Sequence, residues 1–144
     1  MTYSIREQIV AAMATALAGT TGVSTRIYRS RVEAFSRSEA PALVIEPGTD
    51  ELLQEVSTCK FDWRLTVTVA VYTRGGTIPD QTADPIVVDV HARLMADRTL
   101  GGLAMDVIPI SVDPTFEGAD QVACWTVMSF AVRYRTTVTS ITAQ

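Results

Sequence analysis

Residues that could carry out chemistry are few in this chain and lie far apart. His91 is the only histidine among 144 residues, and it falls between Asp89 and Arg93, which are spaced to form an ion pair on a predicted helix. Metal sites draw on several histidine, cysteine or carboxylate ligands together, and no second ligand is spaced to join His91. We therefore interpret His91 as an ordinary histidine at or near a helix surface.

The other candidates for catalysis are equally dispersed. Cys59 and Cys124 are too few for a disulfide framework. We interpret them as two reduced, partly buried thiols, and their spacing leaves open whether they lie on neighbouring strands. The acidic residues at 50–51 and 117–120 fall in predicted loops, where water would solvate them, and they do not form an acid–base pair.

Phosphate-binding motifs are also missing from the sequence. Gly75-Gly76 and Gly101-Gly102 are predicted turns, because neither a Walker lysine nor a GxGxxG pattern accompanies them. An enzyme usually gathers its titratable groups in one cleft. The sequence therefore predicts no catalytic residue, no metal site and no cofactor. A small enzyme that uses a cysteine or His91, and a small-molecule binding module, are the less favoured alternatives.

The composition is that of one folded domain without a membrane segment. The hydrophobic share is 47% and the charged share 19%, as expected for a chain that packs a core. A net charge of -4 disfavours a surface built for a nucleic-acid backbone. The chain has no signal pattern, and no apolar run approaches the about 20 residues of a membrane span. We expect a cytoplasmic product with neither nucleic acid nor membrane as a partner.

The first half of the chain predicts one helix followed by strands. Ser4 and Glu7 have the spacing of a capping box, and apolar residues at helical spacing predict a helix over residues 5–18. Period-2 alternation predicts a long strand over residues 61–72. The other predicted elements are a short strand at 26–29, an exposed loop at 31–40 that carries Phe35, and a strand at 42–46 that ends at the turn signal Pro47-Gly48.

The second half predicts one helix and two further strands. Asp84 and Pro85 are typical of a helix start, so we expect a helix over residues 84–97. Pro109 cannot donate to a strand ladder and favours an edge position. The other predicted elements are a loop at 75–83, the short edge strand at 107–110, a loop at 111–120 and a long strand at 122–136.

The order of these elements predicts an α+β domain over residues 1–136. Its sheet, antiparallel or mixed, should have four or more strands with both helices on one face. The threonine-rich tail at 137–144 is expected to fray. The strand at 122–136 is apolar on both faces, so the face that carries Trp125 needs cover from the loops at 31–40 and 111–120 or from a neighbouring subunit.

One family likeness emerges from these motifs. The segment DPIVVDVHARLMADRTLGGLA at 84–104, followed by a strand that ends FAVRYRT at 130–136, resembles the tail terminator and tail-completion proteins of long-tailed bacteriophages, the minor tail protein U type. The order of the earlier elements is also similar to that of the family.

The resemblance implies a structural subunit of a virion. Members of this family form a ring, typically a hexamer, that caps the tail tube and offers a surface for joining the head. The implied partners are further copies of the chain, the tail tube protein and a head-completion or neck protein, with assembly in the host cytoplasm and a final place in the virion tail. A neck or head-completion protein of similar fold is the alternative, and the family supplies no catalytic residue.

Arginines cluster in the early part of the chain, where they either are solvated or contact an acidic partner. We expect an intersubunit contact between this segment and the acidic residues after the edge strand, with Trp125 nearby. The candidate interface residues are Arg29, Arg31, Phe35 and Arg37 on one side, and Glu117, Asp120 and Trp125 on the other.

Overall fold

A computed structural model describes residues 2–31, 33–75, 78–118 and 122–144, with the side chain of Arg37 also outside the described part. In these ranges two helices and five strands follow one another, with a short 3-10 turn at Arg37–Glu39. Their bounds are α1 Ile5–Leu17, β1 Ile27–Arg29, β2 Ala42–Ser57, β3 Lys60–Arg74, α2 Pro79–Met95, β4 Asp106–Glu117 and β5 Ala123–Thr137.

The five strands form one mixed sheet in the order β1-β2-β3-β5-β4. β1 pairs with β2 in parallel, and every other neighbouring pair is antiparallel. Both helices pack on the same face, where Ile9 and Met13 of α1 and Val90 of α2 join buried strand residues such as Val67 and Phe130 in the main core. The predicted α+β fold with helices on one face is therefore confirmed.

The ends of α1 follow from its sequence. The Ser4 side chain accepts a hydrogen bond from the Glu7 backbone N–H at 3.2 Å, which satisfies one of the free donors of the first turn. Gly19 lies just past the helix with φ +86°, a backbone conformation that glycine adopts without steric penalty. The predicted helix, the short strand near 26–29 and the long strands near 61–72 and 122–136 are all confirmed.

β2 is much longer than predicted, since it continues through Pro47 and Gly48 to Ser57. Two residues of β2, Gly48 and Thr49, oppose the single residue Thr66 of β3, which is the arrangement of a β-bulge. A Cβ at Gly48 would lie 3.0 Å from the Thr66 carbonyl oxygen, so glycine permits the close approach. The turn signal therefore marks a bulge within a strand, not the end of one.

α2 begins earlier than predicted, at Pro79 instead of Asp84, and ends at Met95. Ala83 extends the buried stripe of Ile86, Val90 and Leu94 by one turn, so burial favours the extra turn. Pro85 consequently lies inside the helix, where its ring removes one backbone hydrogen bond. A proline does mark the first helical position of α2, but that proline is Pro79 and not Pro85.

β4 is also longer than predicted, because the segment after residue 110 is strand and not loop. It lies at the sheet edge, as expected. A bulge at Ile110 shifts the register between Pro109 and Ser111. A strand paired on one side only tolerates proline when the proline nitrogen faces outward, so Pro109 and Pro114 do not stop this edge strand.

The two helices are joined by polar groups of α2. Arg93 pairs with Asp89 at 3.0 Å, as its spacing predicted, and donates to the carbonyl oxygens of Ala18 and Gly19 at 3.1 and 2.8 Å. The Thr21 N–H donates to Asp89 at 2.8 Å. This bond, together with Arg93, lowers the pKa of Asp89. The pair therefore fixes the C-terminal end of α1 against α2.

In the tail, the Ile141 carbonyl accepts a hydrogen bond from the Ile5 N–H at the start of α1.

We predict that Arg93→Ala lowers the free energy of unfolding by about 1–3 kcal/mol, because it removes the donor from two carbonyls and from Asp89. Arg98→Ala is the matched control, since Arg98 forms a more exposed ion pair with Asp106 and should cost at most about 1 kcal/mol. Urea unfolding measures both values. Equal losses in the two variants would contradict the docking role of Arg93.

Candidate interaction surface

The helix-free face of the sheet carries a small aromatic cluster. Phe35 stacks on Tyr72 with ring centres 4.9 Å apart, and Trp125 lies 4.7 Å from Tyr72 and 5.7 Å from Phe35. Tyr72 and Trp125 are directly opposite each other on β3 and β5. The strand register therefore places Tyr72 and Trp125 side by side, and Phe35 packs over them. We call the segment at 31–40, which carries Phe35, the covering segment. The expectation of an exposed loop is wrong for Phe35, which is 8% exposed.

Arg31 holds this covering segment in place. Its guanidinium binds both carboxylate oxygens of Glu39 at 2.6 and 3.1 Å and lies 4.2 Å from the ring centre of Phe35. The Ser36 N–H also donates to Glu39. Arg31, with help from Ser36, lowers the pKa of Glu39 to about 2. The segment is therefore closed by a charge-assisted pair and a cation–π contact.

The remaining candidate interface residues fall at separate places. Arg29 forms a bidentate pair with Glu7 of α1, with both distances 2.8 Å, and this pair lowers the pKa of Glu7. Glu117 accepts a hydrogen bond from the Trp125 indole at 2.8 Å. The fold thus brings Arg31, Phe35, Trp125 and Glu117 to one face and leaves Arg29 beside α1. The Arg37 side chain and Asp120 lie outside the described residues.

These contacts define what the surface can do chemically. A depression of about 300 Å³ lies between the covering segment, the end of β4 and the start of β5. Its lining includes Phe35, Tyr72 and Trp125. Phe35 and Tyr72 are buried, so Trp125 is the half-buried ring that the depression presents. A partly exposed tryptophan with charged groups at the margin suits binding to another protein surface. A contact between subunits at these residues remains a prediction.

The residues first considered for chemistry stay apart. His91 is exposed on α2. Cys59 is exposed in the β2–β3 turn and Cys124 is buried on β5, at opposite ends of the β3–β5 ladder. The expectation of partial burial is therefore wrong for both cysteines. Across the described ranges, no three histidine, cysteine or carboxylate residues come together as metal ligands. Neither helix is long and apolar enough to span a membrane.

Two features were missed by sequence reasoning. Asp50, expected in a solvated loop, lies at the β2 bulge and accepts a hydrogen bond from the Tyr134 hydroxyl, and burial raises the pKa of Asp50. The outer part of β4 exposes Ile110, Val112 and Phe116. The alternation of apolar residues from Ile108 to Val112 was a usable signal for a longer strand than the one predicted at 107–110.

Comparisons with known proteins bear on the fold. No family model matches the chain, and no curated protein matches it. The fold is similar to that of a chain in the solved structure of the virion of a native gene transfer agent particle. The two chains share 12% identity, the match covers 91% of this chain and 98% of the other, and the TM-score is 0.53. At this identity the likeness concerns the fold alone.

We predict that acid releases the covering segment. The folded pKa of Glu39, about 2, lies below its ordinary value of 4.5, so the Arg31–Glu39 contact stabilises the segment fully above about pH 4.5. That stabilisation is lost as the pH falls toward 2. The NMR resonances of the Phe35 ring, shifted by Tyr72, should move toward unstructured values over this interval.

The variant Glu39→Gln should show the released resonances already at neutral pH. Glu33→Gln is the matched control, since Glu33 lies in the same segment and is exposed. Core methyl resonances, such as those of Val67, report whether the sheet stays folded. Phe35 resonances that are unchanged in Glu39→Gln would show that the ion pair does not hold the segment.

Proposed function

We propose that this chain is a structural subunit of a phage-like virion that acts as a tail terminator. In this role, copies of the chain form a ring on the tail tube, stop its growth and present a surface to the head. The observation that carries the proposal is the fold likeness to a virion component, which extends over 91% of this chain. The family resemblance of the segment at 84–104 and the strand end at 130–136 points the same way.

The sheet edges support an assembly role. β4 is the last strand of the sheet order, twelve residues long, with apolar side chains exposed along it. Monomeric proteins usually protect such an edge from pairing with another chain. A contact between two different surfaces repeats around an axis and gives a ring when its rotation closes. A closed ring cannot grow further, which is the property that a tube cap needs. The number six comes from the family resemblance.

The candidate interface residues enter this proposal with distinct roles. Arg31 and Phe35 shape the covering segment, and Glu117 together with Trp125 forms the facing margin. Arg29, Arg37 and Asp120 complete the set as charged contacts between neighbouring subunits. Because Arg31 is already bound to Glu39, a charge reversal there would disturb the segment itself. Arg37, the other arginine of this segment in the candidate set, is therefore the position for a charge reversal.

We expect the purified protein to bind one end of tubes assembled from the cognate major tail protein and to arrest their elongation. Negative-stain electron microscopy measures ring occupancy at tube ends and the distribution of tube lengths. Arg37→Glu should lose capping and give tubes of unregulated length. Arg98→Glu is the control because Arg98 lies near the start of β4, away from the candidate set.

The outcomes separate the parts of the proposal. Normal capping by Arg37→Glu would remove this arginine from the contact while leaving the function intact. Failure of the wild-type protein to bind tube ends would contradict the terminator role. If the protein binds instead to the portal end of isolated heads, it is a neck or head-completion protein.

A further inference from the structure

β1 and β4 form the two opposite edges of the sheet. The register of the sheet aligns the residues of β1 with residues 112–114 of β4. Successive register pairs connect Arg29 to Ile45, Val69, Met128 and finally Val112. The same rows align Ile27 with Pro114. β1 runs parallel to β2 and hence to β5, whereas β4 runs antiparallel to β5. A second copy placed beside the first in the same orientation would therefore set β4 antiparallel to β1.

The two edges also have complementary shapes on the helix side of the sheet. Val112 and Phe116 pair with the buried residues Met128 and Cys124, so they share the face that carries the helices. They are nevertheless 50% and 52% exposed. At the other edge, a depression of about 420 Å³ lies between α1 and β1, with Ala14 and Ile27 in its lining. One edge thus offers two apolar side chains where the other offers a partly apolar recess.

Arg29 on one edge and Val112 on the other point their backbone groups outward, whereas the Ile27 N–H of β1 is already bonded to the Thr25 carbonyl at 2.9 Å. The carbonyl of Arg26 accepts from Leu43, and the N–H of Ser30 donates to Ile45, so alternation along β1 turns the N–H and carbonyl of Arg29 away from β2. On β4, Pro114 cannot donate to β5, so its nitrogen faces outward. The same alternation directs the backbone groups of Val112 outward, at the height of Arg29.

The charges of the two edges are opposite. Residues 25–31, which include β1, contain three arginines and no acidic residue. Arg29 and Arg31 pair with Glu7 and Glu39, whereas Arg26 donates to the backbone carbonyls of Pro41 and Gly22 and keeps its positive charge uncompensated among the described residues. Residues 110–117 of β4 contain two acidic residues, Asp113 and Glu117, and no basic residue. Complementary charge favours the contact between unlike edges and opposes the pairing of two β4 edges.

We infer that β4 of one copy adds to the β1 edge of the next copy as an antiparallel strand, with Val112 and Phe116 entering the depression beside α1. The occupant is a second copy of this chain, and the inference rests on the proposed function as a self-assembling subunit. The contact joins two different surfaces, so repetition produces a head-to-tail series. The series is a closed ring where the rotation from copy to copy closes, and a helical filament where it does not.

Disulfide trapping tests the geometry. Thr25 is exposed and lines the depression that Phe116 of the next copy enters, so cysteines at these two positions would lie close enough to be bridged. Thr25→Cys and Phe116→Cys are made separately in a Cys59→Ser background. We expect oxidised dimers only when the two variants are mixed, and a ladder of oligomers when one chain carries both cysteines. Dimers formed by Phe116→Cys alone, or no dimer in the mixture, would overturn the inference.

Sedimentation equilibrium provides a second readout that does not depend on cysteine geometry. The double variant Val112→Glu/Phe116→Glu should associate at least tenfold more weakly than the wild type. Val88→Glu is the matched control, since Val88 is 61% exposed on α2 and should not change association. Circular dichroism verifies the fold of each variant. Equal association of the double variant and the control, or a wild type that neither associates nor cross-links, would overturn the inference.

The two proposals fail in different ways. Loss of self-association in the double variant, combined with a wild type that ignores tube ends, would support the edge contact and contradict the terminator role. Rings on tube ends formed equally by the double variant and the wild type would support the role and contradict the edge contact.

Discussion

The pairing of β3 with β5 is the interaction on which the rest of the structure depends. The two strands run side by side from Lys60–Thr137 to Arg74–Ala123 without a register shift, and each has another strand on its outer side. β5 carries apolar residues on both faces, so this ladder needs cover on both faces. The helices supply it on one face through Phe130 and its neighbours. Phe35, held by Arg31, supplies it over part of the other.

The edges of this sheet are less protected than its centre. β1 covers only the start of β2, and β4 ends the sheet on the other side with Ile110, Val112 and Phe116 half exposed. Prolines and bulges, as at Pro109 and Ile110, are devices that weaken indiscriminate edge pairing. An edge that keeps exposed apolar side chains despite these devices is suited to one specific neighbour. The function we propose therefore depends on the two edges of the sheet and needs no cleft of titratable groups.

Much of this architecture could be predicted from the sequence. The period-2 pattern of β3 and β5 and the cap at Ser4 located their elements, because each signal is local. The errors arose where tertiary contacts overrode local signals. Gly48 and Thr49 form a bulge, and Pro47 does not end the strand, only because β3 continues to pair beyond them. Ala83 is helical because it is buried. Phe35 is buried because Tyr72 and Trp125 meet across two strands, a contact that no local pattern encodes. The hydrogen bond between the Tyr134 hydroxyl and Asp50 could not be predicted either, because it also joins residues that are far apart in the sequence.

The most direct test of the account is an electron cryomicroscopy map of the assembled protein at a resolution that separates strands. The account predicts a closed ring in which β4 of every subunit lies antiparallel to β1 of its neighbour, with the Phe116 side chain between that neighbour's α1 and β1. A ring in which both edges face solvent, or an assembly related by two-fold contacts between identical edges, would contradict it.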